Sequence, residues 1–414
     1  MPTSQLVRSD SNILYTPLQK SLFRFAPAYT YLTTAAAYPS EINKTDVRNL
    51  NFKANPRTTD YRAATITWND DKHWNRTVTL AADLDDASTA TTVTLSAADA
   101  STIVDNQILK VDATGEQILV VAHPSSTTLT VVRRFGSTVP STDALSGSTL
   151  TILGTALFDR DKGSAMRSPV MTDFYTNYMQ TLDVSYEITE GTDYYDFQGG
   201  KVLPRLTKEG AMEAAYTLED TFWYSEGKQY ADPSNANNIK QTMIGLIPFV
   251  KANGKLNVAL DGNTALSLDI MQSFESNFEP DSTNKAVWLC SKKALAAIDG
   301  ILQSSQRITS ADTINLAIGM RVKVFHSTMR DIELVHCPAL DKPFNKVDIV
   351  RYNPAEYMEL LATKGGWQYK ECEKDLAQTY QKYWLHGTFG AKFHLCPDVA
   401  GTISNIKSPF VSLS

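Results

Sequence analysis

The alternation of apolar and polar residues predicts mainly β-structure between residues 59 and 154. Ala64, Ile66 and Trp68 alternate with threonines, and this period of two is typical of a half-buried strand. After residue 80, short apolar runs separated by turns that contain Gly, Pro and Ser predict strands at 92–95, 108–112, 117–122, 128–134 and 149–153. Five short strands so close together indicate a small antiparallel barrel or sandwich.

The clearest helical pattern of the chain follows Pro204. Thr207 is a candidate N-cap and Gly227 a candidate stop, which predicts a helix of about 20 residues. Apolar residues recur at helical spacing on one face: Ala211, Ala214, Ala215, Leu218 and Phe222. This face is expected to lie on a sheet, and the polar stretch 231–238 that follows the helix is expected to be a loop.

The remaining sequence predicts a compact α+β region and then a return to β-structure. The α+β region contains two helices, a buried strand and a hairpin, predicted at 266–278, 292–302, 286–290 and 320–325 with 332–336. Further strands are predicted at 347–352, 367–370 and 380–395. The chain as a whole is therefore expected to be an α+β protein of two or three domains.

Composition marks residues 81–154 as a separate module. Between Asp85 and Thr151, 22 of 67 residues are Ser or Thr, three are Lys or Arg, and none is Trp or Tyr, whereas both flanks are rich in aromatic residues. Residues 1–79 carry 10 basic and 6 acidic side chains, a net charge of +4, and residues 80–154 carry 3 and 8, a net charge of −5. We therefore predict an acidic all-β insertion at the tip of a long hairpin.

Candidate metal and catalytic residues are few. His336 and Cys337 are adjacent, so in a strand they point to opposite faces, and His394 with Cys396 supplies only two of the four ligands of a zinc site. The acidic run 83–86 lacks the glycine and the final glutamate of an EF-hand loop and is expected to be a solvated turn. The four cysteines have no short spacing and are expected to be buried free thiols: Cys290, Cys337, Cys372 and Cys396.

No motif for catalysis or phosphate binding occurs in the sequence. We therefore expect no catalytic residue, no cofactor and no bound metal, and we expect that the protein is not an enzyme. No secretory signal or membrane-spanning apolar run is recognisable, so synthesis in the cytoplasm and no association with a membrane are expected.

The order of these elements and several local motifs resemble a known family. An arm rich in Pro and aromatic residues precedes the interrupted hairpin, and the segment 177–185 then leads to Leu203-Pro204-Arg205-Leu206 at the start of the long helix. This layout resembles the major capsid proteins of tailed bacteriophages with the HK97-type fold, in the branch that includes the phage SU10 capsid protein. The branch usually reads N-x-x-Q-I followed by V-S-G-T. Asn177 and Gln180 match it, whereas Ser185-Tyr186 replaces the Ser-Gly pair.

The resemblance implies an α+β, HK97-like fold with a fixed division of the chain. Residues 1–50 would form the N-terminal arm, 51–80 and 155–175 the two strands of the E-loop, and 81–154 an all-β domain inserted in that loop. The peripheral domain with its long spine helix would comprise 176–240 and 346–400. The axial domain would comprise 241–345 and 401–414.

The resemblance also implies a function. The chain would be a major capsid protein that assembles into hexamers and pentamers of an icosahedral phage head around double-stranded DNA, so it would be located in the virion. Its partners would be other copies of itself, portal and scaffolding proteins, DNA contacted without sequence specificity, and, as an open alternative, a decoration protein. The residues expected to contact neighbouring subunits are Trp68, Lys72, Trp74, Tyr216 and Trp223.

Alternatives to these assignments stay open at the level of sequence. The two tryptophans near the E-loop could pack within their own hairpin instead of against a neighbour. The whole chain could be another virion component, from a tail or a fibre, although a helix of about 20 residues argues against this. It could also be a carbohydrate-binding protein or a hydrolase that carries a β-module.

Overall fold

The computed structural model describes residues 29–37, 58–71, 77–85, 91–139, 142–156, 172–189, 202–278, 285–304, 312–315, 321–326, 330–363, 366–371 and 380–409. These residues belong to two compact units. The inserted unit lies within Asn69–Asp173, and the main unit lies within Met1–Trp68 and Phe174–Ser414.

The helices within the described residues are α1 (Tyr31–Ala37), α2 (Ala97–Thr102), α3 (Val202–Tyr224), α4 (Leu246–Asn253), α5 (Leu268–Ser276), α6 (Lys292–Ser304), α7 (Pro354–Tyr357) and α8 (Cys396–Val399). The strands are β1 (Thr58–Asp60), β2 (Thr65–Asp71), β3 (Thr77–Thr79), β4 (Thr92–Thr94), β5 (Gln107–Val111), β6 (Gln117–Ala122), β7 (Thr128–Val132), β8 (Thr149–Thr155), β9 (Thr172–Tyr178), β10 (Gln180–Thr189), β11 (Lys228–Asp232), β12 (Asn235–Thr242), β13 (Leu256–Ala259), β14 (Lys285–Cys290), β15 (Asp312–Asn315), β16 (Arg321–His326), β17 (Asp331–His336), β18 (Val347–Arg351), β19 (Met358–Ala362), β20 (Gln368–Glu371), β21 (Tyr380–Phe393) and β22 (Gly401–Ser404).

The inserted unit is a small closed barrel. Its six strands follow the order β3-β8-β5-β6-β7-β4, and every neighbouring pair is antiparallel. A bridge between Leu80 and Leu95 joins the two outer strands, and the amide of Ala81 donates to the carbonyl of Thr94 at 3.0 Å. Closure leaves no long open edge that could pair with another chain. The sequence left open whether these strands form a barrel or a sandwich, and the structure has them as a barrel.

The barrel includes more residues at its N-terminal side than the predicted module does. The five strands predicted from the sequence correspond to β4–β8, but β3 also joins the barrel, through its pairing with β8. Residues 77–79 therefore belong to the barrel, although the sequence placed them in the flanking hairpin. Outside the barrel, β2 and β9 pair in a two-stranded sheet that brackets the insertion along the chain.

The first sheet of the main unit has the order β1-β19-β21-β10, with β20 also paired to β21. Helix α3 packs against β10 and β21. The helix begins at Val202, before the predicted N-cap Thr207, because Pro204 is tolerated in the first helical turn, where backbone amides need no intrahelical acceptor. The hydroxyl of Thr207 instead forms a 2.9 Å hydrogen bond with that of Tyr186.

The second sheet of the main unit has seven strands in the order β13-β22-β18-β14-β17-β16-β15. Every residue of β18 is buried, as expected for a central strand covered on both faces. This strand was predicted to belong to the peripheral part, which starts at residue 346. In the structure it pairs with β14 and β22, so the division between the two parts follows Arg351.

The stretch after α3 is a ribbon rather than the predicted loop. Strands β11 and β12 pair from Lys228 with Thr242 to Asp232 with Asn235, around a turn at Pro233-Ser234. The polar composition concealed the strands because both faces of the ribbon are exposed, so no apolar alternation was required. Among the described helices, none is long and apolar enough to cross a membrane.

Candidate functional site

The residues predicted to contact neighbouring subunits have different environments. Lys72 and Trp74 lie outside the described residues. Trp68 is 7% exposed, and its ring centroid lies 5.6 Å from that of Tyr175 and 5.7 Å from that of Phe249. Because Tyr175 belongs to β9, the partner strand of β2, Trp68 packs within its own hairpin and core.

The two predicted contact residues on α3 also differ. Trp223 is fully buried in its own chain, so the expectation that it faces another subunit is wrong: its indole has no exposed surface to offer. Its position, four residues after Glu219, places its N–H against that buried carboxylate instead. Tyr216 is partly exposed, and its ring meets the edge of Tyr29 at 4.6 Å, so a contact with a neighbouring subunit stays a prediction for this residue alone on α3.

Glu219 is the centre of a buried polar contact between α3 and α1. Its Oε1 accepts from the amide of Leu32 at 2.8 Å and from the indole N–H of Trp223 at 3.0 Å. Its Oε2 accepts from the amide of Thr33 at 3.0 Å and from the hydroxyl of Thr33 at 2.7 Å. The carboxyl group therefore satisfies backbone amides in the first turn of α1, a task usually performed by a capping side chain of the same helix.

The electrostatic environment of Glu219 favours its neutral form. The residue is fully buried, and within the described residues it has no ion pair with a basic side chain. Desolvation raises the pKa of Glu219 to about 7, although the hydrogen bonds from Thr33, Leu32 and Trp223 act in the opposite direction. Burial thus outweighs four donated hydrogen bonds at this site.

The carboxyl group of Asp220, at the edge of the same contact, has a cation as its partner, unlike that of Glu219 among the described residues. Asp220, the next residue of α3, accepts a 2.9 Å hydrogen bond from the hydroxyl of Tyr29 and forms an ion pair with Lys342. The ammonium group of Lys342 also lies 5.9 Å from the ring centre of Tyr224. The adjacent residues Glu219 and Asp220 therefore both contact the segment 29–33, and within the described part of the chain only Asp220 is paired with a cation.

A second buried carboxylate of the main unit is neutralised by arginines. Glu275 of α5 forms ion pairs with Arg330 at 3.2 Å and Arg351 at 3.1 Å, and it accepts from the indole N–H of Trp288 at 3.0 Å. The guanidinium of Arg351 also lies 4.3 Å from the ring centre of Phe278. This cluster joins α5 to two strands of the seven-stranded sheet and has the character of a structural centre.

The barrel has its own buried ion pair. Arg133 donates to Glu116 through Nε at 2.8 Å and through Nη2 at 2.7 Å, and both side chains are almost fully buried. Nη1 of Arg133 donates to the carbonyl of Asp85 at 2.8 Å. The acidic segment predicted to be a solvated turn is therefore tied to the barrel, and Asp83 accepts from the amide of Ser146 at 2.6 Å.

The candidate metal ligands are not brought together. His336 forms a 2.8 Å contact with Asp341, and His394 lies 4.0 Å from Glu359. Within the part of the chain that the structure describes, no three His, Cys, Asp or Glu side chains are grouped so that they could hold a metal ion. Cys290, Cys337 and Cys396 are buried free thiols, as predicted, whereas Cys372 lies outside the described residues.

Large apolar side chains are exposed on strands of the main unit that belong to two-stranded sheets. Tyr230 and Ile239 of the β11–β12 ribbon are 54% and 52% exposed, and Phe174 of β9 is 82% exposed. Tyr230 pairs with Lys240, and Ile239 pairs with Ala231, the next position along the ribbon, so the two apolar side chains lie on opposite faces. The polar composition of residues 231–238 did not indicate an exposed apolar surface here.

The sequence matches no protein-family model and no curated protein. Similar solved structures include the holo-SrpI encapsulin complex from Synechococcus elongatus PCC 7942, at 12% identity and a TM-score of 0.43, which covers 59% of this chain and 81% of that chain. The capsid of a native GTA particle has 10% identity and a TM-score of 0.41, with 61% and 80% covered. The capsid of the Myoviridae phage XM1 has 10% identity and a TM-score of 0.36, with 60% and 80% covered.

Proposed function

We propose that the chain is a structural subunit of a protein shell: a major capsid protein of the HK97 type, without catalytic activity. The support is the order of elements. A paired β2 and β9 bracket an inserted barrel, a helix of 23 residues lies on a sheet, and a second α+β part follows, in the sequence that the family resemblance implies. In this proposal the shell is an icosahedral head of hexamers and pentamers that encloses double-stranded DNA in the virion.

The observation that carries self-association is the β11–β12 ribbon. A two-stranded ribbon is marginally stable by itself, and this one has large apolar side chains exposed on both faces. Its base is fixed: the side-chain amide of Gln241 donates to the carbonyls of Ala64 at 3.1 Å and Met179 at 2.8 Å. We propose that neighbouring copies of the chain cover the ribbon, so that shell formation supplies the missing burial.

The barrel is proposed to face the outside of the shell. Residues 80–154 carry a net charge of −5, from 3 basic and 8 acidic side chains, which disfavours a position against packaged DNA. Its closed sheet gives no long edge for strand addition. Portal, scaffolding and decoration proteins belong to the proposal as expected partners of such a shell.

Purification of the full chain tests the proposal most directly. Light scattering after size-exclusion chromatography, followed by electron microscopy, should show closed shells far larger than the 45.8 kDa chain. Tubes would favour the tail alternative. A monomer that binds glycans would favour the carbohydrate-binding alternative.

Paired substitutions on the ribbon test the surface that is proposed to drive association. Tyr230→Ser with Ile239→Ser should reduce the fraction of chain in shells by at least about tenfold, because loss of two half-buried apolar contacts weakens each interface by more than 1.4 kcal/mol. Val139→Ser, which removes a 61% exposed apolar side chain of the barrel, is the matched control. Equal shell yields for the two variants would contradict a role of the ribbon.

Deletion of the barrel tests its proposed peripheral role. Removal of residues 72–171, with an Asn-Gly turn between β2 and β9, leaves both strands intact. Shells that still form would support a surface module that is not needed for assembly. Loss of shells by a folded protein would instead mean that the barrel reinforces contacts between subunits.

Denaturing electrophoresis of mature shells should show one band at 45.8 kDa, because we expect no covalent cross-link.

A further inference from the structure

The contact between α1 and α3 has an unusual donor arrangement for a buried carboxyl group. Four donors surround Glu219, and three of them come from Leu32 and Thr33 of α1. The other side chains of α1 are held by apolar packing, since Leu32, Ala35 and Ala36 are fully buried. Glu219 therefore fixes the register of α1 on α3 through the backbone amides of α1.

The hydroxyl of Thr33 permits Glu219 to bind in either protonation state. Its Oγ1 lies 2.7 Å from Oε2 of Glu219 and 3.2 Å from the carbonyl oxygen of Thr30. With the carboxylate ionised, this hydroxyl donates to Glu219. With the carboxyl group protonated, Glu219 donates to Thr33, and the hydroxyl turns to donate to Thr30. Both states have complete hydrogen bonding, but only the ionised state leaves an uncompensated charge in the core.

We propose that Glu219 is a proton-dependent latch that holds the arm helix α1 on the main unit. The latch is strongest when the carboxyl group is protonated and weakens when it is ionised. Detachment of α1 would expose Glu219 to water, so the detached state takes up fewer protons than the docked state. This inference concerns a single chain and holds whether or not the chain forms shells.

The direction of the pH dependence follows from the two states. In the docked state burial raises the pKa of Glu219 to about 7, and in the detached state the group returns towards its ordinary value of 4.5. Between these values the docked state retains a proton that the detached state loses. Docking is therefore strongest below about pH 4.5 and weakens as the pH rises towards 7, by up to about tenfold per pH unit.

Other titratable groups face the same region. Those on or near the packed elements are Tyr29, Tyr31, Asp220, Glu333, His336, Cys337, Asp341 and Lys342. Tyr31 and Cys337 are buried, and burial raises the pKa of both, which keeps them neutral across the pH range at issue. Asp220 is paired with Lys342, and Asp341 with His336, whereas Glu219 has no ion pair among the described residues.

Hydrogen exchange of the full chain tests the latch. The protection factor of the peptide 29–37, corrected for intrinsic exchange, should fall by about 40-fold between pH 5 and pH 7. Glu219→Gln should abolish this dependence, whereas the neighbouring substitution Asp220→Asn and the substitution His336→Gln should retain it. The peptide 285–290 of β14 serves as an internal reference, and the particle size is checked at each pH.

Two results would overturn the latch. A wild-type protection factor for 29–37 that does not change with pH is decisive by itself, even if Glu219→Gln fails to fold. Retention of the full slope in a folded Glu219→Gln protein would assign the dependence to another group. Thr33→Ala provides a second variant: it removes the hydroxyl that serves both protonation states and should lower protection of the peptide at every pH.

Discussion

The inserted barrel and the main unit each bury a glutamate, but they treat its charge in opposite ways. Glu116 meets Arg133 in a two-point ion pair, and both side chains are almost completely removed from water. Glu219 is equally buried, and its hydrogen-bond donors among the described residues are all neutral. The pair in the barrel fixes one structure, because its two charges must stay together. We propose that the contact in the main unit responds to pH, because among the described residues no cation is paired with the carboxylate of Glu219.

The same contrast extends to the surfaces of the two units. The barrel closes its own sheet, so its backbone hydrogen bonds need no second molecule. The main unit leaves a two-stranded ribbon with Tyr230 and Ile239 exposed on opposite faces. The barrel sheet is closed, and the ribbon of the main unit leaves apolar side chains exposed that we propose are covered by neighbouring copies. This division suits a shell subunit that carries a surface module.

The largest effect is expected from separating the buried ion pair of the barrel. Arg133→Met leaves the carboxylate of Glu116 buried without a cation and should destabilise the barrel by about 3–5 kcal/mol. Hydrogen exchange of peptides from 107–132 measures this loss, with 285–290 of the main unit as reference. Lys110→Met, which removes an exposed cation of the same barrel, is the control and should have little effect. Equal losses of stability in the two variants would contradict a special role of the buried ion pair.

Removal of both charges of the pair should cost less than removal of one. Glu116→Leu combined with Arg133→Met replaces the pair with apolar groups of similar volume and should recover about half or more of the stability lost by Arg133→Met. The same exchange experiment measures the recovery. A double variant as unstable as the single variant would show that the hydrogen bonds to Asp85 and to the amide of Arg134, rather than the uncompensated charge, dominate the cost.

A smaller effect is expected at Glu219, and unlike the effect of the ion pair it should depend on pH. Its raised pKa of about 7 means that the stability it contributes is fully present below about pH 4.5 and is lost as the pH rises to about 7. The unfolding free energy of the main unit, compared between wild type and Glu219→Gln, should therefore diverge by about 3 kcal/mol over this interval. Denaturant titrations at several pH values measure the difference. A difference that is constant with pH would remove Glu219 as the titrating group.

The smallest effects are expected from removal of one serine N-cap in each unit. The hydroxyl of Ser96 accepts from the amide of Asp99 at the start of α2, and that of Ser267 accepts from the amide of Ile270 at the start of α5. Ser96→Ala and Ser267→Ala should each cost about 1 kcal/mol, the first in the barrel and the second in the main unit. Exchange peptides from both units report whether each loss stays local. A loss shared by both units would mean that they unfold together.

Several elements were predictable because their signals are local. Strands β4–β8 follow the alternation of apolar residues and the turns between them, and the pattern of α3 identified the helix, although not its first turn. The start at Val202 was missed because Pro204 resembles a breaker, whereas it is compatible with a first turn. The ribbon β11–β12 was missed because a strand exposed on both faces has no apolar alternation.

The candidate site was predictable only in part. The sequence predicted Trp223 as a contact with a neighbouring subunit, which is the wrong environment for this residue, and it did not indicate that Glu219 is buried. The indole is buried because α1, far away in sequence, and the core around α4 cover that side of α3. A helical pattern states which residues share a face, and it does not state which element will cover that face.

By itself the sequence determined the α+β class, an autonomous β-module within the chain and the long helix, because these depend on spacing and turn chemistry within short segments. Only the tertiary structure decided that β3 closes the barrel, that β18 lies in the seven-stranded sheet, and that the buried carboxyl group of Glu219 accepts from the backbone of α1. Each of these depends on partners far apart in sequence. Pairing, burial and charge compensation are properties of such contacts, so no local pattern can specify them.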